Sequence, residues 1–269
     1  MREINQDTFA LRPDLGLYVI ADGMGGHADG EVASALAIEA IPHYFEQRGA
    51  TAQSDAQPLP PDPSVILVGA VQHAHARIRA RPAPPPWARR MGTTIAAVYV
   101  EQRTMFVAHV GDSRVYRLRD RRLDLLTQDH NRLSDYLNMG STHGVASQMR
   151  DHLWLTRALG TQERVDVDTR REETRPGDVL LLCTDGLSNV VSDEQIALVL
   201  AGKSDVDATA AALMSIADAR AASDDVTCVV LRWGVAVAPE ADPDHPLPQD
   251  IAPRRDPGLA AGLCLGGGP

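Results

Sequence analysis

Predicted strands follow one another closely in the middle of the chain, between residues 94 and 118. A parallel pair of strands needs a connection of roughly a dozen or more residues, and these connections are far shorter. We therefore expect these strands to pair antiparallel, as a meander. Other β-rich runs alternate with helical patterns, so the predicted fold class is α+β, with helices covering two antiparallel β-sheets. The predicted strands are residues 17–21, 94–100, 104–110, 113–118, 179–184 and 226–232.

Helical periodicity is strongest over residues 30–47, where apolar side chains repeat at the 3.6-residue spacing of a helix. Pro42 should kink or end this helix, because proline has no backbone N–H to donate. Similar patterns predict helices over residues 64–79, 193–201 and 206–220.

The chain divides into one globular domain, residues 1–234, and a tail, residues 235–269. Of all residues 44% are hydrophobic and 23% charged, which is enough apolar material for a buried core. The tail holds seven of the 18 prolines and has no sustained hydrophobic period. We therefore expect it to be a Pro- and Gly-rich disordered segment.

Charge and cysteine content exclude several classes of function. The net charge of −10 provides no basic surface for a nucleic acid. No run approaches the roughly 18 apolar residues of a membrane span, and the N-terminus lacks the apolar region of a signal peptide. Three cysteines, an odd number at wide spacing, fit reduced thiols. We expect a cytoplasmic protein that binds neither membrane nor nucleic acid.

Aspartates recur where predicted strands begin or end: Asp22 in LYVIADG, Asp112 in HVGDS, Asp185 in LLCTDG and Asp224 before TCVVLR. A single aspartate of this kind is usually a turn former or a helix cap. Four of them can converge on one edge of a layered fold, where their charges repel unless hard cations neutralise them. Because all the ligands are oxygens, Mg²⁺ or Mn²⁺ is favoured over zinc or copper.

Eight motifs follow one another along the chain: Arg2 with Asn5-Gln6-Asp7, DGMGGHADGEVAS, MGTT, VAHVGDSRVYRL, LTQDHN, LTRALGT, GDVLLLCTDGLSNVVSDEQI and DDVT. In this order they resemble the motifs of the metal-dependent type 2C Ser/Thr protein phosphatases, and DGMGGH is typical of the bacterial branch of that family. The resemblance covers residues 2 to about 232 and implies two antiparallel sheets sandwiched between pairs of helices.

The resemblance implies two or three Mn²⁺ or Mg²⁺ ions per chain. By position, Asp22 is similar to the carboxylate that bridges two metals, and Gly23 to the residue whose carbonyl oxygen ligates the second. Asp185 and Asp224 are similar to the carboxylates that complete the protein ligands of the first metal. Asp112 is similar to the residue that holds a third metal together with Asp185.

The reaction implied is hydrolysis of phosphoserine or phosphothreonine in proteins by attack of a metal-bridging water. Arg2 is similar to the arginine that clamps the substrate phosphate, and His27 is the candidate acid for the leaving alkoxide. His130 is interpreted as structural, at the base of residues 131–155, which form a flap beside the active site in the family. A partner Ser/Thr kinase, a role in bacterial signalling and a monomeric state are also expected.

Three features depart from the family pattern. Gln6 stands where many relatives have glutamate. Asp225 replaces the usual asparagine, so either Asp224 or Asp225 is the ligand. Arg2 follows Met1 directly, which leaves no room for the strand that normally precedes this arginine, so we expect a longer native N-terminus.

Other functions are less well supported. Residues 23–28 fit G-x-G-x-x-A and Glu46 lies near the distance of a ribose contact, as in a dinucleotide-binding oxidoreductase. In such a protein, however, the carboxylate of Asp22 would face the pyrophosphate of the cofactor, and no metal ion would offset the repulsion between the two negative groups. A cysteine-dependent phosphatase needs an arginine about six residues after its nucleophile, where Cys183 has Asn189. A catalytically weak, phosphoprotein-binding relative remains the main alternative, although all four carboxylates are present.

Overall fold

The computed structural model describes residues 5–25, 28–51, 62–82, 90–139, 154–202, 205–234 and 259–266. Its strands are β1 (Asp7–Arg12), β2 (Leu17–Met24), β3 (Gly92–Thr93), β4 (Ile95–Glu101), β5 (Thr104–Val110), β6 (Arg114–Arg119), β7 (Arg122–Leu125), β8 (Asp168–Glu173), β9 (Val179–Cys183), β10 (Val226–Trp233) and β11 (Leu259–Gly266). Its helices are α1 (Ala28–Thr51), α2 (Pro63–Arg79), α3 (Arg132–Asn138), α4 (Asp185–Ser188), α5 (Asp193–Leu200) and α6 (Val206–Ala219).

The strands form two sheets. The first has the order β1-β2-β4-β5-β8, with β3 added beside β2, and the second has the order β11-β10-β9-β6-β7. Every strand pair among the described residues is antiparallel. The α+β prediction is therefore confirmed, and the parallel βαβ unit that a dinucleotide-binding fold needs is absent from the described part of the chain.

Three hydrophobic cores define four layers. Helices α1 and α2 cover the first sheet through a core that includes Leu17, Ile41 and Leu67. Helices α4 to α6 cover the second sheet around Leu181 and Leu213. The third core fills the space between the sheets and contains side chains such as Ile20, Val98, Leu182 and Val229. Side chains alternate between the two faces of a strand, which is why neighbours such as Leu181 and Leu182 belong to different cores.

Pro42 was expected to kink or end helix α1; the helix continues through it to Thr51, so the second alternative is wrong. Proline in a helix interior costs about 3 kcal/mol, because a hydrogen bond is lost and the ring crowds the preceding turn. Burial of one face of α1 against β2 and α2 offsets that cost. Ala33, Ala37 and Ile41 on this face are fully buried.

The predicted meander is correct for β4 and β5 but wrong for β6. Strands β4 and β5 are antiparallel neighbours in the first sheet, whereas β6 pairs with β7 and β9 in the second. The chain therefore passes from one sheet to the other between Val110 and Arg114. This crossing places the turn that contains Asp112 where the two sheets meet.

Residues 259–266 were expected to be disordered as part of the tail, but they are ordered in the structure. They form strand β11, which pairs with β10 over eight residues from Val226↔Gly266 to Trp233↔Leu259. The prediction missed it because LAAGLCLG has small residues and glycines instead of a clear β pattern. The rest of the predicted tail, residues 235–258 and 267–269, lies outside the described residues.

Candidate active site

Six aspartates from both sheets gather where the sheets meet. Asp7 begins β1, Asp22 lies in β2, Asp112 lies between β5 and β6, Asp185 follows β9, and Asp224 and Asp225 precede β10. Burial raises the pKa of Asp22 well above its ordinary value, and the charges of Asp7, Asp185, Asp224 and Asp112 raise it further. The four sequence-predicted carboxylates therefore share one site, together with Asp7.

Asp7 and Asp22 face each other across two strands, as direct partners in the β1–β2 ladder. Asp7 is buried, and its Oδ2 accepts a hydrogen bond of 2.9 Å from the Thr184 hydroxyl. Its Oδ1 is buried with no hydrogen-bond partner. Burial raises the pKa of Asp7, and the charges of Asp225 and Asp185 add to this effect. Like charges placed opposite each other destabilise a sheet, so this pair calls for a cation.

Thr94 connects Asp22 to the turn that carries Asp112. The Thr94 hydroxyl accepts a hydrogen bond from the backbone N–H of Asp22 (3.0 Å) and lies 2.7 Å from the Ser113 hydroxyl. The Thr94 N–H donates to the Asp22 carbonyl oxygen at 2.8 Å. Burial and the charge of Asp185 raise the pKa of Asp112. The backbone positions of both aspartates are thus fixed by one threonine.

Asp185 is the first residue of α4, directly after β9. Its Oδ2 accepts a hydrogen bond of 3.1 Å from the Asn189 amide. The next residue, Gly186, lies against the strand that follows Asp224, since a Cβ at this position would be 2.0 Å from the Asp225 carbonyl oxygen. Glycine is therefore required here, and it allows the acidic ends of β9 and β10 to approach each other closely.

Asp224 and Asp225 have different surroundings. Asp225 is buried, and its Oδ2 accepts a 2.9 Å hydrogen bond from the backbone N–H of Gln6. This bond ties the start of β1, in the first sheet, to the start of β10, in the second. Asp224 is half-buried, and its charge acts on Asp22. Of the two carboxylates, Asp224 is the one whose charge raises the pKa of Asp22, whereas Asp225 holds the Gln6 backbone.

Gly23 requires glycine for packing reasons. A Cβ at Gly23 would lie 2.1 Å from the carbonyl oxygen of Gly30 in the first turn of α1. The N–H of Gly23 donates to the Gln6 carbonyl oxygen at 3.1 Å, and the Ser34 hydroxyl donates to the same oxygen at 2.7 Å. Helix α1, β1 and β2 are in this way held together next to Asp22.

Two predicted catalytic residues, Arg2 and His27, lie outside the described residues. Asp7 is the residue of the acidic cluster that the sequence interpretation missed. It was noted as part of a motif, but no role was assigned to it. A signal was available in DTFALR, where an acidic residue precedes an alternating apolar pattern, as at the other sites. Strand β1 itself was not predicted.

The donor set fits divalent cations. It consists of carboxylates, of which Asp7 has a buried oxygen without a hydrogen bond, and burial together with the neighbouring negative charges raises the pKa of Asp7, Asp22 and Asp112. Hard cations such as Mn²⁺ and Mg²⁺ prefer oxygen ligands of this kind. Fold and site together define a metal-dependent enzyme built on a helix-covered double sheet.

Comparison with known proteins identifies the family. The profile of the family described as protein phosphatase 2C matches residues 2–230, and the chain belongs to this family. It is 30% identical over 231 residues to the serine/threonine phosphatase Stp of Listeria monocytogenes, covering 85% of this chain and 89% of that protein. It is 36% identical over 215 residues to the serine/threonine protein phosphatase PstP of Mycobacterium tuberculosis, covering 80% of this chain and 40% of PstP.

Solved structures agree with this assignment. The crystal structure of M. tuberculosis PstP superposes with a TM-score of 0.72 at 34% identity, covering 86% of this chain and 92% of that one. The PstP catalytic domain in complex with two manganese ions gives a TM-score of 0.70, also at 34% identity, and covers 86% of this chain and 91% of that one. The chain is therefore a metal-dependent protein serine/threonine phosphatase, a hydrolase that acts on phosphorylated proteins.

Proposed function

We propose that the aspartate cluster holds two Mn²⁺ or Mg²⁺ ions, with a third at Asp112. In this proposal Asp22 would be a ligand of both of the first two ions, Gly23 would contribute its carbonyl oxygen, and Asp185 and Asp224 would complete the site. Asp185 also contributes to the third ion. The observation that supports it best is the convergence of these carboxylates from both sheets, with the pKa of Asp22 raised by its acidic neighbours.

The ions, when bound, supply a nucleophilic water at neutral pH and neutralise charge that develops on the phosphoryl oxygens. The chain's own residues shape the site, orient the substrate phosphate and protonate the leaving oxygen. Asp7 extends the acidic cluster beside Asp22. Asp225 links the two sheets by accepting a hydrogen bond from the Gln6 backbone N–H. Arg2 orients the substrate phosphate through its planar guanidinium, and His27 gives a proton to the departing serine or threonine oxygen.

The same proposal includes the setting in which the enzyme acts. Its substrates are phosphorylated proteins of a bacterial signalling system, and a partner Ser/Thr kinase is among them. The enzyme acts as a monomer in the cytoplasm, where no membrane anchor or nucleic acid is needed. The net charge of −10 supports the absence of nucleic acid from this setting, and the buried thiols of Cys183 and Cys228 support a reducing compartment such as the cytoplasm. Among the described residues, no helix has the length and hydrophobicity required to cross a bilayer.

The alternative, a catalytically weak relative that only binds phosphoproteins, is not favoured. Such a protein has no need for a complete set of acidic ligands, since unneutralised buried carboxylates destabilise the fold. Here all of the predicted ligand carboxylates are present at one site.

Hydrolysis of a phosphothreonine peptide in the presence of Mn²⁺, Mg²⁺ or excess chelator tests the proposal. We expect turnover with either cation and none after chelation. Asp120→Asn serves as a control, because it removes one negative charge from an exposed turn while asparagine tolerates the positive φ of 50° at that position. Turnover that survives exhaustive chelation would refute the role of the ions.

A further inference from the structure

His130 lies between the turn that carries Asp112 and the two ends of the 131–155 segment. Its side chain is only 3% exposed. Its backbone N–H donates to the Gly111 carbonyl oxygen at 2.8 Å, and its carbonyl oxygen accepts from the Thr156 N–H at 2.8 Å. Its ring Nδ1 accepts from the Gly111 N–H at 3.1 Å, and its Nε2 lies 3.2 Å from Asp168 Oδ2. Four polar groups of one residue therefore connect three parts of the chain.

These contacts fix the tautomer of the ring. Because Nδ1 accepts the Gly111 N–H, the proton of the neutral imidazole resides on Nε2, which lies 3.2 Å from Asp168 Oδ2 without forming a well-aligned hydrogen bond. Burial and the adjacent His109 ring lower the pKa of His130 to about 4, so the ring is neutral at pH 7. The cation beside Asp168 is Arg157, whose Nη1 donates a hydrogen bond of 2.7 Å to Asp168 Oδ1.

His109, His130 and Asp168 also lie close enough to one another to hold a metal ion, with ligand atoms within 4.8 Å. The hydrogen bonds argue against such a site. Nε2 of His130 carries a proton, and Nε2 of His109 lies 2.8 Å from the Gln128 carbonyl oxygen, so it donates too. The Gln128 N–H is a weaker competitor for that nitrogen at 3.3 Å. Arg157 already supplies the positive charge.

The turn is also fixed on its opposite side. Gly111 has a φ of 109°, and a Cβ there would lie 2.6 Å from Thr94 Cγ2. Thr94 is the residue whose hydroxyl contacts the backbone of Asp22 and the side chain of Ser113. The Gly111–Asp112 turn is therefore held between His130 and Thr94, and the His130 ring supplies one of the two sides.

We propose that His130 is a positioning residue, which holds the Gly111–Asp112 turn through Nδ1 and connects this turn to the pairing of residues 131–132 with residues 154–155. This pairing consists of the Asn131↔Leu155 bridge and the hydrogen bond from Arg132 N–H to the Trp154 carbonyl oxygen. The inference rests on the proposed function, in which Asp112 binds metal.

Two amide substitutions separate the two sides of the ring. In His130→Asn the amide group takes the approximate place of Nδ1 and offers an acceptor to Gly111, while the contact with Asp168 is lost. In His130→Gln the longer amide takes the place of Nε2 and retains Asp168, while Gly111 loses its acceptor. Asp168→Asn is the matched control on the Asp168 side, because it leaves the Gly111 bond intact.

The first measurement is hydrogen exchange of the Gly111 amide in the metal-free protein, which does not depend on activity. We expect slow exchange in the native protein, His130→Asn and Asp168→Asn, and about tenfold faster exchange in His130→Gln. Circular dichroism checks that each variant folds. Equal exchange in His130→Asn and His130→Gln, or protection in His130→Gln like that of the native protein, would overturn the proposal.

The second measurement is the Mn²⁺ concentration at half-maximal turnover. It should rise about tenfold in His130→Gln and much less in His130→Asn and Asp168→Asn. Asp112→Ala, assayed in parallel, tells the two failures apart. If Asp112→Ala shifts the Mn²⁺ dependence and His130→Gln does not, the positioning role is wrong; if neither shifts it, the proposed metal role of Asp112 is wrong. Zn²⁺ binding that His130 variants lose and Asp112→Ala keeps would instead make the His109–His130–Asp168 cluster a metal site.

Discussion

Asp7 and Asp22 are direct partners across the antiparallel strands β1 and β2, with the pKa of both carboxyl groups raised by burial and by neighbouring charges. Thr184, from the second sheet, donates a hydrogen bond to Asp7. The pair therefore brings two like charges together at the sheet junction, where folding alone would not favour them. In the proposed site, bound cations would offset this repulsion.

Asp7→Asn should weaken metal binding while stabilising the metal-free protein. The substitution removes one charge of the buried cluster and keeps a side chain of similar shape that can accept the Thr184 hydrogen bond. We expect the affinity for Mn²⁺ to fall by about tenfold or more, and the Tm of the chelator-treated protein to rise. Calorimetry and thermal unfolding measure the two effects. A lower Tm in chelator with unchanged Mn²⁺ affinity would contradict the assignment, and Asp120→Asn controls for net charge.

Asp224→Asn and Asp225→Asn should differ strongly. Asp224 acts on Asp22, so its loss should lower kcat by about a hundredfold, as expected for an important electrostatic group. Asp225→Asn retains an acceptor for the Gln6 N–H and should change kcat little. Asp225→Ala removes that acceptor and should lower the free energy of unfolding by about 1–3 kcal/mol. The reverse order of activities would show that Asp225 is the ligand.

Stabilisation by Mn²⁺ should increase with pH. Burial, with neighbouring charges, raises the pKa of Asp7 to about 7 and that of Asp112 to about 8. Since both values lie above those of the unfolded chain, the metal-free fold loses stability as the pH rises from about 4 to about 8. Metal binding needs the ionised carboxylates, so it strengthens over the same range.

Thermal unfolding at several pH values, with Mn²⁺ and with chelator, measures this effect. The difference in Tm between the two conditions should grow from pH 5 to pH 8, and Asp7→Asn should reduce the slope. A difference in Tm that is constant across the range would show that these carboxylates do not exchange protons for metal.

Removal of residues 235–269 should destabilise the domain. The deletion removes β11, which leaves the whole length of β10 unpaired on one side. We expect Tm to fall by at least about 5 °C. Deletion of residues 267–269 alone is the matched control and should leave Tm unchanged. If the longer deletion also leaves Tm unchanged, the β10–β11 pairing contributes nothing to stability.

The sequence predicted where strands and helices lie better than it predicted which strands pair with each other. The hydrophobic pattern located most strands and helices of the cores to within a few residues, because the helices have an apolar face and the central strands are apolar runs buried on both faces. It did not show that β6 leaves the sheet of β5, since a connection of three residues suits both a hairpin and a change of sheet. The glycine at position 111, with its positive φ, is the local reason for the change.

Long-range contacts account for the features of the site that the sequence did not predict. The ligand aspartates were recognisable from strand ends and motifs, whereas the separate environments of Asp224 and Asp225 depend on Gln6, more than 200 residues away in sequence. The same holds for Asp7, whose burial depends on Thr184. Likewise, α1 continues through Pro42 because of its packing against β2 and α2, which local propensity does not include.

In the proposed site, aspartates from both sheets bind the cations on which hydrolysis depends. The decisive experiment is calorimetric titration of Mn²⁺ into the native protein and into Asp22→Ala, combined with phosphothreonine-peptide hydrolysis by both. We expect the native protein to bind two or three ions and Asp22→Ala to bind fewer, with a loss of turnover of about a hundredfold or more. An unchanged number of bound ions in Asp22→Ala, with turnover retained, would contradict it.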